Sequence, residues 1–462
     1  MIVIRKYFFL LSTLLLCHTT INSQDIELSE KYKKEVISTL SKLMNDRYVF
    51  PDVAKKTEEH LKKQFDKKHF DQFVTNESFA EALTKSVQSI NNDKHMKIMS
   101  QPPYEQPSMT PERLIEEKIY NLKRKKEYNA GFNNVKVLEG NIGYLDLRGF
   151  TYYKEGKIIA DAYMKLISNT DAVIIDLSKN GGGDPDMVKY LCSYFFKGGV
   201  HLNSLYFREG NKTIDFYTLD KVDGTKMIDV PLFVITSKRT FSGAEEFSYN
   251  MQTQKRATLV GQTTGGGANP GGTNPINEFL SVFIPTGKAI NPITKTNWEG
   301  VGVVPEIKVS SDESLNKTHE LAKTAADQYR KKLKEFYTNT FINLLSKLEN
   351  YDEVNSEKNI LTTLKDCKEK GIIEEWEINA LGYQYLMEHK KSKIAMCIFK
   401  ANTILHPESA NGFDSYAEAL MELGNYDKSI KNYKKAVELA TADNSPDLSV
   451  YQENLKKALQ KK

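Results

Sequence analysis

The chain has 462 residues, of which 40% are hydrophobic and 27% are charged, and its formal net charge is +4. This is the composition of a globular protein with a sizeable core, and the length suggests two to four domains. The positive charge is small and evenly spread among acidic residues, which excludes nucleic acid as the expected partner. The sequence contains no HExxH, CxxC or clustered His/Asp set, so we predict neither a metal nor a cofactor.

The N-terminus differs from this average. Arg5 and Lys6 precede the apolar run YFFLLSTLLLC, and small polar residues follow near Ser23. A basic start, a short apolar stretch and small residues are typical of a secretory signal, and the run is too short to span a bilayer comfortably. We therefore predict a signal peptide over residues 1–24 and a secreted or periplasmic protein. A retained anchor and lipidation at Cys17 are the alternatives.

Residues 25–108 predict a helical region that ends in a linker. Apolar residues recur three and four positions apart in YKKEVISTLSKLMNDRYVF and in SFAEALTKSVQSI, which indicates amphipathic helices. The polar, proline-rich stretch SQPPYEQPSMTPE then favours a long loop.

Residues 109–312 predict an α/β core. From about residue 139, the apolar segments NIGYLDL, AVIID, PLFVIT and ATLVG alternate with helical patterns. These segments lack polar alternation, which favours buried parallel strands covered by helices. Asp184 and Pro185 have the residue types of a helix start, and Cys192 in the helix that follows is expected to pack in the core.

Residues 313–462 predict an all-helical domain. Within about 379–441, two segments align at a spacing of 34 residues, with three apolar pairs: Leu386 and Leu420, Phe399 and Tyr433, Leu405 and Leu439. The second segment closely resembles a tetratricopeptide repeat, and the first resembles one more loosely. Such repeats stack as helix pairs, and they suggest a protein partner for this domain. A generic helical bundle is the alternative.

The stretch TSKRTFSGAEEF carries the first candidate for chemistry. Ser242 and Glu245 have the spacing of a capping box at the start of a helix. A serine at a helix N-terminus also lies beside free N–H groups and the positive end of the helix dipole, both of which favour an oxyanion. The spacing alone leaves both interpretations open, a helix cap or a nucleophile.

Two glycine-rich segments and one glutamate complete the set of candidates. NGGG, residues 180–183, follows a strand and would let backbone N–H groups approach a bound group; it matches no phosphate-loop pattern, and a plain tight turn is the alternative. GQTTGGGANPGG, residues 261–272, has the composition of a loop after a strand. Glu299 lies between Trp298 and GVGV, where we expect partial burial.

Four segments together resemble the tail-specific (C-terminal processing) serine peptidase superfamily, in its tricorn-core and interphotoreceptor retinoid-binding-protein-like branch. These segments are TSKRTFSGAEEF, DLSKNGGG, VGQTTGGG and NWEGVGVVPE. The resemblance covers about residues 30–310. It implies a ClpP/crotonase-like α/β core and hydrolysis of peptide bonds in protein or peptide substrates.

The resemblance also implies roles for particular residues. Ser242 matches the nucleophile, and the backbone N–H groups of Gly243 and Gly182 match the oxyanion hole. Gly267 stands where lysine-dependent members carry their base, so a lysine base at that place is not expected. The other branch uses a histidine and a glutamate, which correspond to His95 in DKHMKI and Glu299 in NWEGVG.

Two departures from the family pattern affect these expectations. Lys94 precedes His95, where relatives have glycine or a hydroxyl residue, so the link from Glu299 to His95 is expected to differ. Only about 44 residues separate His95 from the strand at Gly140, too few for a PDZ domain. The main alternative function is a non-catalytic binding module or scaffold that uses the same fold for an apolar ligand or a protein partner.

Overall fold

The computed structural model describes residues 28–101, 110–352 and 355–461. The predicted signal peptide and Cys17 lie outside the described residues. The chain divides into two compact units between Tyr329 and Arg330. Within the described ranges, no helix combines the length and the apolar character needed to cross a membrane.

The helices and strands are as follows, in chain order. The helices are α1 (Glu30–Arg47), α2 (Pro51–Asp66), α3 (Asn76–Asn91), α4 (Pro111–Tyr128), α5 (Tyr153–Ile167), α6 (Pro185–Cys192), α7 (Gly243–Thr253), α8 (Ser314–Glu349), α9 (Ser356–Glu369), α10 (Glu375–Tyr383), α11 (Ser392–Leu405), α12 (Ala410–Glu422), α13 (Tyr426–Ala442) and α14 (Leu448–Lys461). The strands are β1 (Ile98–Ser100), β2 (Phe132–Leu138), β3 (Ile142–Leu147), β4 (Ala172–Asp176), β5 (His201–Phe207), β6 (Lys212–Tyr217), β7 (Leu232–Thr236), β8 (Thr258–Gly261), β9 (Gly271–Pro275), β10 (Leu280–Pro285), β11 (Gly287–Ile290) and β12 (Ile307–Lys308).

A six-stranded sheet with the order β12-β8-β7-β4-β3-β2 forms the centre of the first unit. The four strands predicted from their apolar runs, β3, β4, β7 and β8, are neighbours and parallel. β3, β4 and β7 are buried or nearly so along their whole length, which is why their sequences show no polar alternation. The prediction of an α/β core with parallel strands is confirmed.

Helices α1, α2 and α3 form the predicted N-terminal helical region. Their apolar residues pack in one cluster with residues of β1 and β10, which lie in a separate three-stranded antiparallel sheet, β1-β10-β9. β1 begins three residues after His95 and pairs with β10 from the core. This pairing brings the segment that carries His95 to the core, across about 180 residues of sequence.

The sequence patterns did not indicate several elements. β5, β6 and β11 form a third sheet, in which β5 pairs antiparallel with both neighbours. β2 adds an antiparallel edge to the central sheet, and α4 fills most of the interval between the predicted linker and the core. β2 and β6 are exposed or half-buried along most of their length and β11 has four residues, so their apolar signal is weak, while β5 buries the polar residues Asn203 and Ser204.

The two faces of the central sheet are covered differently. One face packs against α5, α6 and α7 in the largest apolar cluster, which includes Cys192, and burial raises the pKa of this thiol. The other face packs against Ala322 and Ala326 of α8. The start of α8 is therefore part of the first unit, whereas the sequence placed a domain boundary at 312/313.

The second unit is all-helical, as predicted. Residues from the end of α8 and from α9, α10 and α11 share one apolar cluster, and smaller clusters hold α12, α13 and α14 together. The predicted repeats coincide with α10–α11 and α12–α13, although a π-helical turn, Gln384–Glu388, interrupts the first pair. Their assignment as tetratricopeptide repeats stays a prediction.

Candidate active site

Ser242 lies on a sharp turn between β7 and α7. Its backbone angles are φ 52° and ψ −121°, a positive φ that is uncommon for a residue with a side chain. Ser242 is the residue before Gly243, the first residue of α7, so it lies beside the N–H groups that open the helix. A strained serine on a strand-to-helix turn is the geometry that exposes a nucleophile in several serine hydrolases.

Glu245 holds this turn in place. Its fully buried carboxylate accepts the N–H of Ser242 at 2.9 Å, of Gly266 at 2.6 Å and of Gly267 at 2.8 Å, and also the hydroxyl of Thr264. Burial raises the pKa of Glu245, and these donors oppose that rise. The carboxylate arm of the predicted capping box is therefore present, and it also ties the turn to the loop after β8, which the sequence pattern did not indicate.

The glycine run at 181–183 faces the turn at Ser242, which we call the nucleophile turn because Ser242 is the candidate nucleophile. A Cβ placed on Gly182 would lie 2.7 Å from the Gly243 nitrogen and 2.8 Å from the Ser242 Cβ. Gly182 has a φ of +105°, which favours glycine, and its N–H donates to the Asn180 side chain at 2.8 Å. The absence of a side chain at residue 182 thus leaves room in front of the Gly243 N–H, while the Gly182 N–H is already engaged.

His95 reaches this region from the N-terminal helical region. Its ring packs against Phe241, the residue before Ser242, with ring centroids 4.7 Å apart, and stacks on Phe283 of β10 at 5.7 Å. Burial lowers the pKa of His95 to about 4, and its buried Nδ1 has no hydrogen-bond partner. The structure therefore brings His95 beside the nucleophile turn, and among the described contacts no hydrogen bond joins it to Ser242.

Glu299 lies behind His95, as the family pattern implied, but its contacts are with the backbone. Its carboxylate accepts the N–H of Lys94 at 3.0 Å, of Ala268 at 2.6 Å and of Asn269 at 3.0 Å. Burial, together with the charge of Asp93, raises the pKa of Glu299 to about 7 against the effect of these donors. Glu299 therefore holds together the base segment and the loop after β8.

Asp93 is a residue that the sequence analysis missed. Asp93, His95 and Glu299 each offer an oxygen or ring nitrogen, and these three atoms lie within 4.8 Å of one another. Such a group could hold a cation, but the carboxylates already accept backbone, amide and hydroxyl donors. These donors occupy the carboxylate oxygens that a metal ion would need as ligands. The DKH spacing was the available signal, because it places Asp93 two residues from the candidate base.

The structure also bears on the two lysine alternatives. A Cβ on Gly267 would lie 2.2 Å from the Phe241 ring and 2.7 Å from Cε1 of His95, so a side chain at residue 267 would displace the rings that surround the candidate base. Lys94 is exposed, and a lysine base near neutral pH requires desolvation. The geometry favours His95 as the candidate base over a lysine at residue 267 and over Lys94.

A serine on a strained turn, with a glycine run in front of it and a partly buried histidine beside it, is an arrangement typical of α/β proteins with a serine nucleophile. The comparisons identify the family. Residues 141–309 match the model of "Peptidase family S41", and residues 23–133 match the "N-terminal domain of Peptidase_S41 in eukaryotic IRBP". Together the two matches cover more than half of the chain, which belongs to the S41 peptidase family.

Individual relatives are distant. The chain is similar to a carboxy-terminal-processing protease of Bartonella bacilliformis, at 26% identity over 176 residues, which are 37% of this chain and 39% of that protein. Among solved structures, it is similar to a lipoprotein from Streptococcus agalactiae, with 16% identity, coverage of 64% of this chain and 96% of that one, and a TM-score of 0.41. The photosystem II D1 C-terminal processing protease gives 11% identity, coverage of 60% and 93%, and a TM-score of 0.38.

Proposed function

We propose that this protein is a serine endopeptidase that hydrolyses peptide bonds in protein or peptide substrates. The observation that carries the proposal is Ser242 on a strained turn at the start of α7, with Gly182 leaving space in front of the Gly243 N–H. Membership of a peptidase family supports it, although the match with the curated relative covers less than half of that relative's length.

In this proposal the Ser242 hydroxyl attacks the scissile carbonyl carbon, and His95 takes the hydroxyl proton. The Gly243 N–H and a second N–H from the glycine run at 181–183 stabilise the oxyanion. His95 then gives its proton to the leaving amine, and a water molecule hydrolyses the acyl-enzyme with His95 again acting as base. No described hydrogen bond joins His95 to Ser242, so in this proposal the ring and the hydroxyl come within hydrogen-bond distance when substrate binds.

Glu299 orients the base in this proposal. It lies within 4.8 Å of a ring nitrogen of His95 and fixes the backbone of the neighbouring Lys94. Relatives have glycine or a hydroxyl residue before the histidine, whereas here Lys94 precedes it and donates its backbone N–H to Glu299.

We further propose that the protein is exported and that its second unit selects partners or substrates. The basic start and the apolar run within residues 1–24 support export. The helix pairs α10–α11 and α12–α13, at a spacing of 34 residues, support a role in protein binding.

The decisive experiment is labelling with a fluorophosphonate probe, combined with hydrolysis of an unfolded protein substrate. The wild type should be labelled and active, and Ser242→Ala should lose both. Ser248→Ala is the matched control, because Ser248 lies in the same helix and its hydroxyl donates to the Ala244 carbonyl at 2.8 Å; it should keep both. Wild-type protein that is folded but neither labelled nor active would contradict the proposal and favour a non-catalytic binding module.

A further inference from the structure

Asp93 connects three segments of the chain around the candidate base. It is fully buried, and its Oδ1 accepts the backbone N–H of His95 at 3.1 Å. Its Oδ2 accepts the side-chain amide of Asn269 at 2.9 Å and the hydroxyl of Tyr48 at 3.2 Å. These bonds fix the backbone at His95 relative to the end of α1 and the loop after β8.

Asp93 also faces Glu299. Atoms of the two carboxyl groups and a ring nitrogen of His95 lie within 4.8 Å of one another. Two carboxyl groups at this separation do not ionise independently, and burial raises the pKa of Asp93 as it does that of Glu299. The negative charge of this pair lies beside the imidazole.

The described contacts of the His95 ring are with uncharged groups. Phe241 and Phe283 cover it from the nucleophile turn and from β10, and neither carries a charge. The Lys94 side chain is exposed, and the Glu245 carboxylate accepts the Gly267 N–H in the neighbouring loop. Asp93 and Glu299 are thus the carboxyl groups placed to interact with a proton on the imidazole.

We propose that Asp93 is a positioning residue for His95: it fixes the backbone of the base, and it shares with Glu299 the negative charge that selects the tautomer of the ring. A carboxylate facing one nitrogen of a neutral histidine favours the proton on that nitrogen and leaves the other free to accept one. The inference rests on the proposed role of His95 as base, and it assigns to two acids the orientation that the family pattern gives to Glu299 alone.

The test is 15N NMR of the His95 ring in the full chain at pH 7, where the ring is neutral, with kinetics in parallel. The wild type should show one dominant tautomer, and Asp93→Asn should show a mixture of two. The same change should lower kcat by about 10- to 100-fold with little change in KM, a loss similar to that from other groups that orient a histidine. Asp414→Asn is the matched control, because Asp414 is also buried and accepts an asparagine amide, from Asn454 at 3.1 Å; it should leave the His95 spectrum unchanged.

An unchanged tautomer in a folded Asp93→Asn protein would overturn the proposal and leave Asp93 a purely structural residue. If Asp93→Asn does not fold, Asn269→Ala replaces it, since it removes one donor to Asp93 and keeps the backbone N–H that Glu299 accepts. Asn269→Ala should change the ratio of the two tautomers in the same direction as Asp93→Asn, but by a smaller amount. An unchanged spectrum in this variant would overturn the proposal equally. The NMR result does not require hydrolysis, so a shifted tautomer in an inactive protein would contradict the proposed function and still support the role of Asp93.

Discussion

The nucleophile side and the base side of the candidate site are built in different ways. On the nucleophile side, one buried carboxylate, Glu245, satisfies three backbone N–H groups and a hydroxyl, and the turn at Ser242 follows directly from β7. The base side joins segments around residues 93–95, 269 and 299, and it holds the buried Asp93, the partly buried Glu299 and an unpaired ring nitrogen of His95.

Because of this difference, substitutions on the two sides should have different effects, on the shape of the site in one case and on its electrostatics in the other. On the nucleophile side the backbone N–H groups of Ser242, Gly266 and Gly267 are paired with Glu245, so a substitution there should act mainly through shape. The base side carries pKa values far from their usual range, about 4 for His95 and about 7 for Glu299. Changes there should act on the rate and on its pH dependence, with smaller effects on the fold.

The largest expected effect is that of His95→Gln. Loss of the base should lower kcat/KM by roughly 10²–10⁴. Since the pKa of His95 is lowered to about 4, the neutral ring contributes stability that is fully present above its unfolded pKa of ~6.5 and is lost progressively as the pH falls from there through about 4. His95→Gln should therefore also be less sensitive to acid unfolding, which a comparison of Tm at pH 7 and pH 4.5 measures.

His69→Gln is the control for this prediction. His69 also packs against two aromatic rings in the N-terminal helical region, those of Phe70 and Phe73, and its replacement should leave activity unchanged. An active His95→Gln protein beside an inactive Lys94→Ala protein, both folded, would assign the base to the lysine.

Gly182→Ala should have the next largest effect. The new methyl group would lie 2.7 Å from the Gly243 nitrogen, at a residue with φ +105°, and would occupy the space proposed for the oxyanion. We expect kcat to fall by about 10²–10³, as for the loss of an oxyanion donor. Gly181→Ala is the matched control, because among the described residues other than its chain neighbours no atom lies within 4 Å of its Cβ position; equal losses from both variants would refute the assignment.

Glu299→Gln should have a smaller effect that depends on pH. Because the pKa of Glu299 is raised to about 7, its carboxyl group is mostly neutral at pH 5 and mostly charged at pH 8. The loss in kcat/KM should therefore be slight at pH 5 and about 10- to 100-fold at pH 8. A loss of the same size at both pH values would show that the charge of Glu299 does not act on His95.

Glu246→Gln is the control for this comparison. Glu246 is a second buried glutamate, on α7, and burial raises its pKa to about 8, so it is largely neutral across the range below pH 7. Its replacement should leave the shape of the pH–rate profile below pH 7 unchanged.

The same contrast explains what the sequence could predict. Local patterns predicted two parts of the structure. Apolar runs predicted the parallel strands β3, β4, β7 and β8, and a cap spacing predicted the turn at Ser242. The base side depends on the pairing of β1 with β10 across a long interval, and no local pattern specifies that contact. His95 and Glu299 could be proposed only by family resemblance, and Asp93 was missed because its role depends on its distance from Glu299 in space.

The smallest expected effect is that of removing the second unit, because none of the residues proposed for chemistry lies there. A chain that ends at residue 335 keeps Ala322 and Ala326, which pack on the central sheet, and should hydrolyse a small peptide at a rate within about threefold of the wild type, while losing some protein substrates. A chain that ends at residue 315 loses this packing and should be less stable to urea by about 1–3 kcal/mol. Equal stability of the two truncated chains would place the boundary at 312/313, where the sequence pattern put it. If the chain that ends at residue 335 folds but does not hydrolyse the small peptide, the second unit contributes to the active site.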